Sequence, residues 1–470
     1  MNNKFIKKIL FLSIIAILFT SPLITGLKIK NSSINDSDID KILEGGWFEE
    51  RNGIKILHIS GSYYEMGYQY GHYLKDSHMA HKRSWLNFAQ SRGNSIDYLK
   101  EAWNITKEYI PEAYKEEIQG RADALGSNFI DEAIISIIIP CCSKQKKCFG
   151  FAAWGNATKD GKLYHAHSND WELKTEILKD PITNTYAYQH RVLIVRNPSN
   201  AYSSVYIAST AGLDAEAGMN EKGICVSINT AFHFTNDSTI KGIPSSLRNL
   251  MVLDNAKNSK EAIDILTSNR TAGWNFILSD GNERKGYILE QTANYSYVGS
   301  WDNAIEDNYP SFKVKELVRR GNIFINYEAP GIDKEFYKKS SLMRLILNSL
   351  GLTEEKSVYF SILHFNVLSK ELKKQHGTLD LNNSIKLLRK VYNGHTNFIF
   401  FLSQRVIKIF YSDTWDQKVF CPETGDIAIS FAKNGVTAYR TQVHHFNIYK
   451  LLNSKPSQDI FCYNNHINSN

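Results

Sequence analysis

The chain has 470 residues, of which 43% are apolar and 12% aromatic, so it can bury a large core as one big domain or two ordinary ones. This composition is that of a globular protein and excludes a disordered chain. The 55 basic and 48 acidic residues give a net charge of +7 that is spread along the chain. So diffuse a charge argues against a nucleic-acid partner.

The first residues have the pattern of an export signal. Three lysines within the first eight residues precede an apolar run from Ile9 to Phe19 and a shorter apolar tail that ends near Leu27. This order of charge and then apolar residues predicts a signal peptide or an N-terminal membrane anchor in residues 1–27. We therefore expect the protein to be secreted or anchored on the outer face of the cell membrane.

Residue patterns typical of strands and helices begin at Ile54. The stretch before them, residues 28–53, is predicted to be a linker. The stretch "IKILHIS" has the pattern of a strand, and "YYEMGYQYGHYLKD" that of a helix. Gly67 and Gly71 lie four residues apart on one face of this helix, so we expect another element to approach closely there. The sequence predicts a mainly helical segment over 54–147 and a catalytic segment over 148–470.

Strands dominate after residue 147. Two of them, at 149–155 and 162–167, flank the turn "NATKDG", whose Asp-Gly pair favours a hairpin. Later patterns predict strands in "SSVYIAS", "GICVSIN", "NFILSD" and "GYILEQ", at 398–409 and at 427–431, and helices at 246–268, 340–350 and 384–392. Such an order indicates an α+β fold with a mainly antiparallel core.

The hairpin places a thiol near a carboxylate. In an antiparallel pair the numbers of opposed residues have a constant sum, so a turn centred between 158.5 and 160.5 puts Cys148 opposite a residue from 169 to 173. Asp170 lies within this window. On this evidence alone, a small buried side chain is the plainer interpretation of Cys148.

Several motifs in register strengthen the catalytic interpretation: "ISGSYYEMGYQYG", "EEIQGRADALG", "CFGFAAWGNATKDGKLYHAHSNDW", "GMNEKGICVSIN", "GNIF" and "SSLMR". From about residue 54 to 345 the chain resembles the N-terminal nucleophile (Ntn) hydrolases. It is similar above all to the isopenicillin N acyltransferase (acyl-CoA:6-aminopenicillanic acid acyltransferase) family, with motifs like those of choloylglycine hydrolases and penicillin V acylases. The resemblance implies a four-layer αββα sandwich of antiparallel sheets.

The resemblance also implies how the nucleophile arises. The precursor would cut itself between Lys147 and Cys148, so that Cys148 gains a free α-amino group. An α-amine titrates at about 7.7 to 8.0, low enough to accept the thiol proton near neutral pH. One residue would then supply both nucleophile and base. No cofactor and no metal are predicted.

Further roles follow from the same resemblance, position by position. Asp170 would hold the α-amino group. Asn229 and Asn322 would donate hydrogen bonds to the oxyanion of the tetrahedral intermediate, and Asn326 is a nearby rival of Asn322. Arg344 would pair with the site carboxylate and lower the pKa of the thiol.

Two residues near Asp170 are candidates for the substrate pocket, His167 and Trp171. Many relatives carry an arginine three residues before the aspartate, where this chain has His167, and Ser168 replaces a frequent asparagine. Since histidine titrates near neutral pH, a constant charge in those relatives would become switchable here.

Two other interpretations remain open at this point. His165 and His167 alternate onto one strand face and, with Asp170, form an H-x-H…D pattern that a metal-dependent hydrolase could use, with His190 as a further ligand. Alternatively, the chain is a non-catalytic exported protein on the same fold.

The expected substrate is a small molecule with a linear acyl-amide bond, and the sequence leaves hydrolysis and acyl transfer open. Disulfides are open as well. Export permits Cys141 or Cys142 to pair with Cys421 or Cys462, but their spacing does not decide the connectivity.

Overall fold

The computed structural model describes residues 36–137, 147–231, 237–332, 337, 356–393 and 413–456. The chain divides into a short unit, Met1–Lys41, and a large unit, Ile42–Asn470. Helix α1 spans Asp36–Glu44. The predicted signal or anchor lies outside the described residues. No helix within the described ranges is long and apolar enough to cross a membrane.

In the described part of the chain, nine strands form the first sheet, sheet A. Their spatial order is β1 (Trp47–Arg51), β2 (Ile54–Gly61), β5 (Arg191–Pro198), β6 (Ser204–Ser209), β7 (Ala217–Asn220), β8 (Ile224–Thr230), β9 (Trp274–Asp280), β10 (Lys285–Gln291) and β11 (Ser296–Gly299). Neighbouring strands are antiparallel except for β2 and β5, which are parallel. The predicted antiparallel core therefore holds with one exception.

The second sheet, sheet B, carries the predicted hairpin. Its six described strands lie in the order β12 (Leu317–Arg320), β3 (Lys147–Gly155), β4 (Gly161–Asp170), β13 (Thr414–Cys421), β14 (Asp426–Phe431) and β15 (His444–Asn447), all antiparallel. Gly161 closes the β3–β4 turn with a φ of 76°, a left-handed conformation that glycine adopts without strain.

The helices cover the outer faces of both sheets. In chain order they are α2 (Tyr63–Tyr73), α3 (Lys75–Ser91), α4 (Ile96–Thr106), α5 (Glu112–Leu125), α6 (Phe129–Ala133), α7 (Ser245–Asn255), α8 (Ser259–Thr267), α9 (Lys356–Lys374), α10 (Leu381–Asn393) and α11 (Ile448–Leu452). Helices α2, α7 and α8 contact strands of sheet A, and α10 contacts β4, β13 and β14 of sheet B. The two sheets pack on each other through their inner faces. This is the αββα arrangement that the resemblance implied.

The close approach predicted at Gly67 and Gly71 is confirmed. Helix α5 packs directly across α2, and a Cβ atom at Gly67 would lie 2.0 Å from the carbonyl oxygen of Glu117. A Cβ atom at Gly71 would lie 2.9 Å from that of Ala124. The two helix backbones can therefore meet only because these positions carry no side chain.

Two predictions of local structure were wrong. The predicted linker over 28–53 contains helix α1 and strand β1, and β1 pairs antiparallel with β2. The single helix predicted over 246–268 is two helices, because Asn258 accepts a hydrogen bond from the Glu261 backbone N–H and starts α8. The helix predicted at 340–350 and the strand predicted at 398–409 lie outside the described residues.

Candidate active site

The hairpin register fixes what faces Cys148. Strand β3 pairs Cys148 with Asn169 of β4, and Lys147 with Asp170. Asn169 is at the edge of the predicted window, and Asp170 is opposite the residue that precedes the cysteine. Because side chains alternate along a strand, Cys148 and Asn169 point to one face of sheet B while Asp170 points to the other.

The neighbouring residues identify the two faces. Ala152 and Trp154, which share the face of Cys148, pack against Ile277 and Ile288 of sheet A. Ala166, which shares the face of Asp170, packs in the cluster that contains residues of helix α10. The thiol therefore lies between the sheets, and the Asp170 carboxylate lies on the helix-covered side.

Cys148 is held at two atoms. Its backbone N–H donates a hydrogen bond of 2.9 Å to Oδ1 of Asn322, and its Sγ lies 3.8 Å from Oδ1 of Asn169. The Asn322 amide is fixed in turn, since its Nδ2 donates to the carbonyl oxygen and the hydroxyl of Thr230 at 2.7 and 3.0 Å. Only 3% of Cys148 is exposed. The strand start and the thiol are thus both oriented by buried carboxamides.

A buried ionic network, which we call the Arg191 network, lies behind Asn169. The Asn169 amide donates to Glu216 at 2.6 Å and to Asp416 at 3.3 Å. Arg191 donates to both carboxylates, at 2.6 Å to Glu216 and 3.0 Å to Asp416, and Lys418 pairs with the other oxygen of Asp416. Burial disfavours the charge of Arg191, yet the two carboxylates hold its pKa above the usual value.

On the other face of β4, Asp170 sits among hydroxyl groups. The hydroxyls of Ser168 and Thr414 donate to its Oδ1 at 2.8 and 2.7 Å. Asp170 is only 1% exposed. Asp170 pairs with Lys147, the residue before Cys148. Its carboxylate therefore lies near the start of β3 and points to the face opposite the thiol.

Asn229 and His167 contact each other between the sheets. His167 Nε2 lies 3.1 Å from the carbonyl oxygen of Ile228 and 3.1 Å from Oδ1 of Asn229. Two oxygen acceptors around this nitrogen favour the tautomer with the proton on Nε2. The Asn229 amide donates to the carbonyl oxygen of Arg320 at 3.3 Å. His167 thus orients Asn229 and faces sheet A.

The loop that carries Asn322 is fixed by side chains of sheet A. Asn275 donates to the carbonyl oxygens of Gly321 and Ile323 at 2.9 and 2.8 Å. Asn326, the alternative oxyanion donor, instead accepts a hydrogen bond of 3.1 Å at its Oδ1 from the backbone N–H of Glu328. Of the two asparagines, Asn322 is the one that contacts Cys148.

The remaining candidates are Trp171, Arg344 and the cysteines. Trp171 lies in a buried aromatic cluster, stacked on Trp415 with ring centroids 5.6 Å apart and in edge contact with Trp85 and Phe88. Arg344 lies outside the described residues, as do three of the four cysteines of the open disulfide question, Cys141, Cys142 and Cys462.

The arrangement expected for a metal site does not form. Both ring nitrogens of His165 are 2.8 Å from serine hydroxyls, those of Ser279 and Ser227. Asp170 points to the opposite face of β4, and His190 makes its two ring contacts with the hydroxyls of Ser77 and Thr185. In the described ranges no cluster of three or more potential metal ligands is present. The H-x-H…D interpretation was therefore wrong.

Sequence reasoning missed the Arg191 network and gave Asn169 no role. Asn169 was within the range of residues that the register allowed opposite Cys148, so a signal for it existed. Arg191 and Asp416 lie on two strands that are distant in sequence, Glu216 directly precedes a third, and nothing in their spacing predicts that they meet.

Residues 179–301 match the family model described as acyl-coenzyme A:6-aminopenicillanic acid acyl-transferase. The predicted resemblance to this family is confirmed. The matched stretch includes Arg191, Glu216 and Asn229, and it begins after Cys148 and ends before Asn322.

Two curated proteins are also similar. An uncharacterized protein of Archaeoglobus fulgidus is 24% identical over 64% of this chain and 56% of its own length. Protein dcd1B of Dictyostelium discoideum is 22% identical over 44% of each chain. The chain thus spans about half the length of the curated relatives it matches.

Among solved structures, a mutant of the conjugated bile acid hydrolase of Clostridium perfringens has a TM-score of 0.38 and 17% identity, over 66% of this chain and 95% of that one. The Caenorhabditis elegans ortholog of N-acylethanolamine-hydrolyzing acid amidase has a TM-score of 0.34 and 12% identity, over 64% of this chain and 100% of that one.

Proposed function

We propose that the protein is a cysteine Ntn enzyme that activates itself and then cleaves or transfers an acyl group at a linear amide bond. The observation that carries this proposal is that two buried asparagine side chains contact Cys148, one at its backbone N–H and one at its sulfur. Asn322 accepts from its backbone N–H, and Asn169 lies against its Sγ, at the first residues of a buried strand. An ordinary buried cysteine needs neither contact.

Activation would proceed by attack of the Cys148 sulfur on the carbonyl carbon of Lys147. The carbon–nitrogen bond then breaks, the nitrogen takes up the thiol proton, and Lys147 is left as a thioester on the sulfur. Water opens this thioester and releases the Lys147 carboxylate. Cys148 keeps a free thiol and a free α-amine, and Asn322 Oδ1 is placed to accept a hydrogen bond from that amine.

Turnover would use the same two groups. The α-amine takes the thiol proton, the sulfur attacks the substrate carbonyl, and the amine product leaves with that proton. Water or a bound amine then attacks the thioester and takes the acyl group, and its proton restores the Cys148 thiol. Asn229 and Asn322 are the proposed oxyanion donors. Their amides are engaged in this uncut chain, by Arg320 and Thr230, so one of these bonds would have to exchange for the substrate oxyanion.

The proposal is tested with a panel of linear N-acyl amides, with and without a competing amine. Wild-type protein should release the amine product, and the competing amine should divert part of the acyl group if transfer occurs. Cys148→Ala should be inactive. Cys225→Ala is the matched control, because Cys225 is also a buried strand cysteine between the sheets but packs in an apolar cluster, and it should keep its activity. Equal activity in both variants would refute the proposed nucleophile.

A further inference from the structure

Asn169 lies directly opposite Cys148 in the pairing of β3 with β4. The sequence motifs and the family match assign it no role. Its Oδ1 lies 3.8 Å from Cys148 Sγ, within the range of a sulfur hydrogen bond. A carboxamide oxygen can only accept, so the thiol is the donor. We propose that Asn169 is a further catalytic residue that accepts the S–H of Cys148 and aims the sulfur. This inference rests on the proposed function.

The orientation of the Asn169 amide decides which atom meets the sulfur. The two hydrogens of its Nδ2 point at Glu216 and Asp416, which lie at 2.6 and 3.3 Å. Turning the amide over would place its oxygen against two carboxylate oxygens, which repel it. The oxygen is therefore held on the sulfur side.

The Arg191 network makes this orientation rigid. Glu216 and Asp416 are positioning residues, because they act on the thiol only through Asn169. Arg191 and Lys418 balance their two negative charges, so the network is neutral and paired. Such a network fixes the direction of the amide without adding a net charge next to the sulfur.

Rigid aiming matters for both steps proposed for Cys148. The sulfur must first reach the Lys147 carbonyl carbon and later the substrate carbonyl carbon, and small misplacements of a reacting atom slow such attacks strongly. Asn169 holds the sulfur between the sheets, on the face where Asn229 also lies. The amide thus restricts the rotation of the thiol until the α-amine takes its proton.

The direct test is the infrared S–H stretching band of Cys148, obtained as the difference between wild type and Cys148→Ala. An S–H group that donates to an oxygen absorbs at lower frequency than one that does not. We expect the lowered band in wild type and its return to the unbonded frequency in Asn169→Leu. A wild-type band at the unbonded frequency would overturn the inference, and this result needs no Asn169 variant to fold.

Kinetics supply the second measurement. Asn169→Leu should lower kcat by about tenfold or more with KM little changed, because an aiming contact of the nucleophile is lost while substrate contacts remain. The kcat of Glu216→Gln should lie between those of wild type and Asn169→Leu, because this change weakens the hold on the Asn169 amide but keeps the Asn169 oxygen. Asn220→Leu removes another buried amide, at the end of β7, and should leave the band and kcat unchanged.

The two proposals fail separately. A wild-type chain that is never cut at Lys147 refutes the proposed function, while the lowered S–H band can still be present in the uncut chain. If the chain is cut and active, but Asn169→Leu changes neither the S–H band nor kcat, only the role of Asn169 is overturned.

Discussion

Two buried arginines, Arg191 and Arg320, each bind two carboxylates beside Cys148, and they serve different parts of the site. Arg320 binds Glu290 and Glu306 at 2.6–2.8 Å, and Glu290 also accepts the backbone N–H groups of Ile325 and Asn326. Burial raises the pKa of Glu290, although Arg320 and these N–H groups oppose the rise. Glu290, which Arg320 holds, therefore fixes the backbone of the loop that carries Asn322.

Arg191 instead fixes a side chain. Its two carboxylates, Glu216 and Asp416, both accept from the Asn169 amide, whose oxygen lies against the thiol. Similar buried ion pairs can thus hold either a loop or a single reactive group. We expect loss of Arg320 to appear mainly in stability, and loss of the Arg191 network to appear mainly in activity.

The largest effect is expected from Arg320→Met. It leaves Glu290 and Glu306 buried without their cation, which should lower the free energy of unfolding by about 3–5 kcal/mol. Denaturant unfolding at pH 7 measures this. Lys260→Met removes an exposed ion pair with Asp264 and serves as the control, with little change in stability. Equal losses in the two variants would contradict the structural role of Arg320.

A second prediction concerns the other face of β4. Asp170→Asn keeps an oxygen for the hydroxyls of Ser168 and Thr414, so the fold should be preserved. If Asp170 stabilises the protonated α-amine, turnover should fall by about 100-fold, the lower end of what a positioned acid–base group contributes. Asp160→Asn, at the hairpin tip, is the control for the loss of another carboxylate of the same hairpin. Near-normal turnover in Asp170→Asn would remove Asp170 from the mechanism.

A third prediction uses His165, which lies on the inner face of β4. Burial, with the charge of Lys418 acting in the same direction, lowers the pKa of His165 to about 3. The unfolded chain therefore binds more protons than the folded chain between pH 6.5 and about 3, so stability is lost as the pH falls through this range. This histidine alone should cost about 2 kcal/mol between pH 6.5 and 5.

Urea unfolding at several pH values measures this dependence. His165→Gln should flatten the curve, whereas His445→Gln, at an exposed position of β15, should leave its slope unchanged. A wild-type stability that stays constant from pH 6.5 to 5 would show that His165 takes up a proton in the folded protein.

The smallest effect is expected at His167. Because it contacts Asn229, its protonation should alter the rate at acidic pH, and His167→Arg, which carries a constant charge, should remove that dependence. The ratio of kcat/KM at pH 5.5 to that at pH 7.5 should change by a few-fold between the two proteins. Superimposable pH profiles would show that His167 does not titrate in this range.

The sequence predicted those features that depend on local patterns. The Asp-Gly turn predicted the β3–β4 hairpin, and its register alone put Cys148 opposite a residue from 169 to 173, a range that includes its observed partner Asn169. Gly67 and Gly71 predicted the contact with α5 because a missing side chain is visible in sequence. The start of α8 was also readable, since Asn258 is a good helix cap, but the long apolar pattern masked it.

The rest of the site depends on contacts between distant strands. Arg191 of β5 and Glu216, just before β7, meet Asp416 of β13 across the two sheets, and no periodic pattern within a strand predicts which residues face it from the other sheet. The parallel pairing of β2 and β5 was also missed because the two strands are distant in sequence. Between Gly61 and Arg191 lie 190 minus 61, or 129, residues.

The central claim is that Cys148 becomes an N-terminal nucleophile, and intact-mass analysis of the purified wild-type protein tests it most directly. The account predicts two chains without a covalent link through residue 147, the larger beginning at Cys148 and holding 470 minus 147, or 323, residues. Cys148→Ala should remain one uncut, inactive chain at every protein concentration, because the cut is intramolecular. An active wild-type protein that is a single chain, or a larger fragment that begins at any other residue, would contradict the claim.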